Sequence, residues 1–440
     1  MEMDIRQEIE QANRKAVERI IASRPVLVDI KPAIKAIRGM TETTVLHAGP
    51  PTKWERMTDA LQGAIIGGIL YEGLADTPQK ARKMVEREEI TLGSNHDYGA
   101  LGGGCGISTA SMSGFVMQNK APPENATWMT IGRAQVWKKT SEGTGWYTGT
   151  YDAGIPKALN YGCYDEEIFK KRRWEEEVLP PAFKAVIRQS GGIDMKHIIA
   201  RSLHMGDEGH FKRVAGTLLL ARDMMPSLLR SDLDRNTVQQ FADYMVEDET
   251  YVGQLILPAC KAMADAGQDI KNSSVVTTMC RNGTDFGIRV SGLGRRWFTG
   301  PAPMLTGIYF PGFGPEDATG DTGDSCITET IGIGAFAAAA SPSIVQTIGG
   351  TVEDCVRYTK EMYEITVARN PNFTIPYLNF AGTPTGIDVT KVVETGITPV
   401  IDSYMQHKKA QVGMIGAGVT RGPLSCFKEA FEALGTELGL

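Results

Sequence analysis

Thr43-Thr-Val-Leu-His-Ala-Gly-Pro-Pro51 is a short apolar strand pattern stopped by one glycine and two prolines. The run 52–71 follows, with Trp54, Met57, Leu61 and Ile65 at helical spacing and Gly63, Gly67 and Gly68 on a crowded side. Upstream, Ile5, Ile9, Ala12, Ala16 and Ile20 predict an amphipathic helix over 4–22, and Val26-Leu-Val-Asp-Ile30 a buried strand. Strand and helix alternate, which predicts an α/β fold, mixed α+β over the whole chain.

Further along, Thr77-Pro78 opens a helix to about residue 88, since proline suits the first helical position. The most glycine-dense stretch, Asn95-His-Asp-Tyr-Gly-Ala-Leu-Gly-Gly-Gly-Cys-Gly106, precedes a strand at 114–118. It matches neither a P-loop nor a dinucleotide fingerprint, so a plain turn competes with an anion cradle there. A charged helix over 165–189 leads to Ser190-Gly-Gly192, and 194–267 is helical with breaks expected at Pro226 and Pro258. Strands at 274–280 and 285–291 flank the hairpin turn Asn282-Gly283. A helix over 352–369, a strand at 373–378, a short helix from 388, a strand at 399–401 and a last helix from 423 complete the pattern. The expected domains are an α/β domain at 1–190, a helical subdomain at 191–272 and a C-terminal α/β domain at 273–440.

With 440 residues the chain can bury sizeable cores. Its net charge of −6 gives no basic footprint for nucleic acid or an anionic membrane. The polar, acidic start does not fit a secretory signal, and the most apolar run, 331–340, is too short to span a bilayer. Seven scattered cysteines without a Cys-x-x-Cys pair suit reduced thiols in a cytoplasmic setting.

Chemistry concentrates in a few turns. Asp321-Thr-Gly-Asp-Ser-Cys-Ile-Thr-Glu-Thr330 runs into the small-residue stretch ending at Pro342. It predicts a tightly packed helix capped by Asp324 or Ser325, whose first-turn amides attract an anion. The alternatives there are an ordinary buried helix, or a divalent cation on Asp321, Asp324 and Glu329, whose spacing matches no calcium loop. His204-Met-Gly-Asp-Glu-Gly-His210 is the densest titratable cluster. His204 and Glu208 share a helical face, as do Asp207 and His210, and the His-Glu-x-x-His zinc motif is absent. A metal there is the minority alternative to a carboxylate orienting an imidazole for acid/base work or for structure. Arg289, flanked by Ile288 and Val290 in a strand, suits a phosphate or carboxylate. Asp285, Asp388, Thr383 and Thr385 stand in glycine turns that can hold a ligand.

His204-Met-Gly-Asp-Glu208, Asn282-Gly-Thr-Asp-Phe-Gly-Ile-Arg-Val-Ser-Gly-Leu-Gly294, Trp297-Phe-Thr299, Gly323-Asp-Ser-Cys-Ile-Thr-Glu-Thr330, the run 380–396 and Leu46-His-Ala-Gly-Pro-Pro51 closely resemble the bacterial YahG/YlbE-like family, also called AllG. The resemblance covers nearly the whole chain. It implies a part in oxamate carbamoyltransferase of allantoin degradation, with an FdrA-like subunit and a third subunit. A carbamoyl group would pass between an N-carbamoyl compound such as oxalurate and phosphate, giving carbamoyl phosphate. The usual transcarbamylase signatures Ser-Thr-Arg-Thr and His-Pro-x-Gln are missing, so the activity implies a different scaffold. Against the family pattern, the histidine-rich turn is reduced to Asn95-His-Asp-Tyr98, Gly209 stands for a cysteine and Arg295 for an aspartate.

The expected assignments are His204, Asp207 and Glu208 as catalytic groups. Asn282, Asp285, Arg289, Asp324, Ser325, Thr328, Glu329, Thr383, Thr385 and Asp388 are expected on the substrate, and Gly103, Gly104 and Arg369 on phosphate. No cofactor and no metal are expected, and the chain is expected in a cytoplasmic oligomer. A non-catalytic scaffold and a metal-dependent ureide amidohydrolase are the alternatives.

Overall fold

The computed structural model describes residues 5–132, 134–138 and 155–440. The fold is mixed α/β, with several small sheets surrounded by helices. In the largest sheet Ile193–Asp194, Pro25–Pro32, Ser113–Asn119 and Asn125–Thr130 pair antiparallel in that order, and Ala100–Leu101 joins parallel at the end. The helix Gly253–Ala266 packs on this sheet, and the first helix, Ile5–Ala22, packs on that helix in turn. Thr44–His47 pairs parallel with Thr91–Ser94 and antiparallel with Ile107–Ser108.

The second half carries an antiparallel four-stranded sheet, Phe298–Pro301, Asp285–Val290, Val276–Asn282 and Thr322–Gly323. A three-stranded sheet, Thr306–Tyr309, Met414–Arg421 and Val400–Gln406, and the ribbon Thr366–Ile375/Ala381–Ile387 complete it. The largest core cluster draws on Ala12, Phe115, Val178, Leu203, Leu255, Ile327 and Phe373, so apolar residues from all thirds of the chain share one interior.

Two expectations are corrected. The run 324–341 is no capped helix: it forms one turn, Ile327–Thr330, then a 3₁₀ stretch, Gly334–Ala340. Gly332 (φ +94°) and Gly334 (φ +65°) break it, each pressed where a side chain has no room. A Cβ on Gly332 would lie 2.3 Å from the Pro384 carbonyl oxygen, and one on Gly334 2.3 Å from a Glu329 carboxylate oxygen. Pro226 and Pro258 do not break their segments either; they lie inside Val214–Leu229 and Gly253–Ala266, whose burial outweighs one lost backbone bond each.

Candidate functional site

The cleft is built where the glycine loop of the first half meets the acidic turn of the second. Gly103 bridges Gly323, whose φ of +112° and bare Cα let the loop pass: a Cβ there would stand 2.5 Å from the Gly104 nitrogen. Asp324 is fully buried behind this crossing, and its carboxylate accepts the N–H groups of Gly49 at 2.7 Å and Gly102 at 2.8 Å. Arg281, also buried, holds the same turn. It donates to Asp321 through Nε (2.7 Å), to the Gly323 carbonyl (2.8 Å) and to the Ser403 hydroxyl (2.8 Å), and the ion pair raises its already high pKa.

His210 lies at the cleft in the loop between Met195–His204 and Val214–Leu229. Gly206 (φ +98°) and Gly209 (φ +94°) turn that loop, and Glu208 pins it by accepting the backbone N–H groups of His210, Phe211 and Lys212. His210 Nδ1 stands 2.8 Å from Glu329 Oε1 and 2.9 Å from Asp402 Oδ1. Burial alone would discharge the imidazole, but Glu329 and Asp402 together raise its pKa to about 10. Burial raises Asp402 to about 6 against the pull of His210, whereas His210 brings Glu329 below its ordinary value despite burial. Burial, and then Asp402, push Glu208 well up.

The cleft lining suits a small anion. Its described charged residues are Arg172, Arg213 and His210, with no carboxylate among them, and Asn160, Gln254, Ser325, Ser403 and Gln406 add uncharged hydrogen-bonding groups. Leu257, Met405 and Met414 supply apolar wall. Arg213 packs over Gly253, where a Cβ would fall 1.7 Å from its guanidinium, and donates to the Tyr404 hydroxyl at 3.3 Å.

Of the expected site residues, Gly103, Gly104 and Ser325 line the cleft. Asp324, Thr328 and Glu329 stand behind it; the Thr328 hydroxyl donates to Glu329 at 2.8 Å. The other turns lie apart. His204 is exposed, its Nε2 2.7 Å from the Thr374 hydroxyl and its ring against Phe380. Asp207 accepts the Gly216 N–H (2.8 Å) near the start of the next helix. Asn282 ties its own turn to the Pro50 carbonyl, and Asp285 pairs with Arg56 at 2.6 Å. Arg289 is neutralised by Asp97 and stacks on Trp297 at 4.1 Å. Thr385 backs the loop at Gly332 and donates to the Ile331 carbonyl, and Thr383 is buried in the same strand. Asp388 caps the helix Val389–Thr395 and accepts Ser274 Oγ at 2.7 Å. Arg369 is exposed over Tyr363.

The family described as Oxamate carbamoyltransferase subunit AllG matches residues 133–325. The Escherichia coli (strain K12) protein named Oxamate carbamoyltransferase subunit AllG is 38% identical over 98% of this chain and 99% of its own length. The same organism's Uncharacterized protein YahG is 40% identical over 96% of this chain and 85% of its own. The chain belongs to the YahG/AllG family. A crystal structure of a conserved protein of unknown function from Enterococcus faecalis V583 shares its fold, with a TM-score of 0.91 and 39% identity over 99% of this chain and all of that one.

In this YahG/AllG chain three prominent site groups were not singled out from sequence: Asp402, Arg281 and Arg213. Asp402 carries a usable signal, an acid directly after apolar Val400 and Ile401, akin to the one that drew attention to Arg289, whereas Arg281 stands in a strand with two threonines and an asparagine and carries a weaker one. Arg213 follows a glycine-broken loop directly before a helix and carries no such mark.

Proposed function

We propose that this chain binds the carbamoyl donor and acceptor of an oxamate carbamoyltransferase complex, with an FdrA-like subunit and a third subunit, in a cytoplasmic setting. The single observation carrying this is the cleft where Arg213, the glycine loop and Ser325 converge with no carboxylate in the described lining, while the other two lining cations, Arg172 and His210, are paired with carboxylates behind it. Phosphate and oxalurate are both small anions, and Arg213, the amides of Gly103 and Gly104, and the Ser325 hydroxyl offer donors for them. The AllG name of the 38% identical relative supports the reaction class.

In the transfer, a phosphate oxygen attacks the terminal carbamoyl carbon of oxalurate. The bond from that carbon to the inner nitrogen breaks, and oxamate leaves. The proton lost by hydrogen phosphate ends on the oxamate nitrogen. His210, held charged by Glu329 and Asp402, is the group suited to deliver a proton and take it back, and Glu208 holds its loop. The N–H and O–H groups of the lining stabilise charge developing on the carbonyl oxygen.

The purified chain, alone and with its FdrA-like partner, is to be assayed for phosphate-dependent formation of carbamoyl phosphate from oxalurate and related ureides. Turnover in neither mixture would count against this assignment. A second reading, a non-catalytic scaffold, draws on Leu218, Met225 and Leu229, exposed along one face of Val214–Leu229, where a neighbouring subunit would bury apolar surface. Normal turnover of an assembled complex carrying His210→Asn would favour the scaffold.

A further inference from the structure

Beneath the cleft, one imidazole nitrogen faces two carboxylates and has one proton to offer. His210 Nδ1 is 2.8 Å from Glu329 Oε1 and 2.9 Å from Asp402 Oδ1, and the three side chains are at most 2% exposed. Of the two carboxylates, Glu329 meets His210 Nδ1 in hydrogen-bonding geometry. Glu329 also receives the Thr328 hydroxyl and the Ala335 N–H, and Glu208 is satisfied by three backbone amides. Asp402 differs: it accepts no backbone or hydroxyl hydrogen bond among the described residues, and its one cationic neighbour is the His210 imidazole at 2.9 Å, which it shares with Glu329. A fully buried carboxylate in that condition is costly unless a proton or a cation joins it.

We propose that a small divalent cation, Mn²⁺ or Zn²⁺, binds among His210 Nδ1, Glu329 Oε1 and Asp402 Oδ1, whose atoms all lie within 4.8 Å of one another. One imidazole with two carboxylates suits these ions, whereas Ca²⁺ takes six to eight oxygens. Two ligands at ~2.1 Å from such an ion stand ~3.4 Å apart in a tetrahedral arrangement, so the donors, now 2.8 and 2.9 Å apart, must spread by about half an ångström. The loop carrying His210 contains Gly206 and Gly209, both at positive φ, where such an adjustment is absorbed. Coordination uses the Nδ1 lone pair, so the Nδ1 proton is released and a neutral ring keeps its hydrogen on Nε2. A second buried trio, His96, Cys280 and Asp324, is the competing candidate; its one carboxylate already accepts the N–H groups of Gly49 and Gly102, whereas Asp402 in the first trio accepts no backbone N–H.

The cation would take the place of the His210 Nδ1 proton that the transfer reading uses, so its binding is read on the metal itself and without turnover. Chelator-treated full-length chain is titrated with Mn²⁺ or Zn²⁺, with Mg²⁺ and Ca²⁺ alongside, reading bound metal per chain and the thermal midpoint. One bound Mn²⁺ or Zn²⁺ per chain with a midpoint raised by a few degrees is expected. Asp402→Asn should weaken that binding at least ~10-fold, while Cys280→Ser and His204→Ala leave it intact. Wild-type chain that binds neither ion overturns the site, as does Asp402→Asn that binds like wild type. Zinc lost only in Cys280→Ser would transfer it to the other trio. Should Asp402→Asn fail to fold, X-ray absorption of zinc-loaded wild type reads the donors directly: nitrogen and oxygen alone are expected, and sulfur in the shell defeats the assignment.

Discussion

Asp324 and Gly102 hold each other by a reciprocal pair of hydrogen bonds: the Gly102 N–H donates to the Asp324 carboxylate at 2.8 Å, and the Asp324 N–H donates to the Gly102 carbonyl at 2.8 Å. Asp324→Ala leaves two buried N–H groups, those of Gly49 and Gly102, without their acceptor. A loss of ~2–4 kcal/mol in unfolding free energy is expected by chemical denaturation, with Asp324→Asn milder because one oxygen remains. Equal stability of wild type and Asp324→Ala would show that the crossing does not depend on this carboxylate.

His204 and His210 separate by environment, one exposed against Thr374 and one buried against two carboxylates. In the assembled complex His204→Ala should keep turnover within ~3-fold, whereas His210→Asn should lower kcat by ~100-fold or more, the usual weight of a positioned acid or base. The reverse order of damage would restore His204 as the acting group.

The charge on His210 makes stability pH-dependent. Its folded pKa of about 10 exceeds the ordinary 6.5, so its contribution is fully present below about pH 6.5 and is lost as pH rises towards 10. In chelator, wild-type unfolding free energy should fall between pH 6.5 and 8.5 by up to ~1.4 kcal/mol per pH unit more than that of His210→Gln. Parallel curves for the two proteins would mean that His210 is neutral in the folded state. Keeping below pH 8.5 limits the contribution of the buried thiols, which burial also raises, Cys105 to about 12 and Cys163 to about 11.

Gly253 has no side chain because the Arg213 guanidinium occupies the space beside it. Gly253→Ala should displace that guanidinium, the flexible end of a long side chain, with little change in thermal midpoint. Loss of one charge-assisted contact to phosphate predicts a KM for phosphate raised ~10-fold or more at nearly constant kcat. A fall in kcat without a change in KM would argue that Arg213 does not hold the ground-state anion.

Local chemistry was legible in the sequence where it stayed local. Asn282-Gly283 does turn the hairpin between Val276–Asn282 and Asp285–Val290, and Thr77 caps Pro78–Glu86 by accepting the Lys80 N–H. Asp388 shows the limit of that signal: an aspartate before a helix looks the same whether it holds a ligand or, as here, accepts the Thr390 N–H. Arg289 was read by its apolar flanks, but its partner Asp97 is 192 residues away and removes its charge from the cleft. Likewise His210 meets Glu329 across 119 residues, a pairing that helical or strand periodicity cannot report because each describes only its own element. The glycines at 332 and 334 did mark close approach, yet their positive φ ended the helix they were expected to join.

Gly102 must wait 222 residues for Asp324. While the chain is still emerging from the ribosome, its glycine loop therefore has no wall to close against, and a product ending before the acidic turn exposes those amides to water and proteases. The wall behind the glycine loop is thus a property of the finished polypeptide alone, because a fragment stopping short of residue 324 lacks the carboxylate that accepts the N–H groups of Gly49 and Gly102.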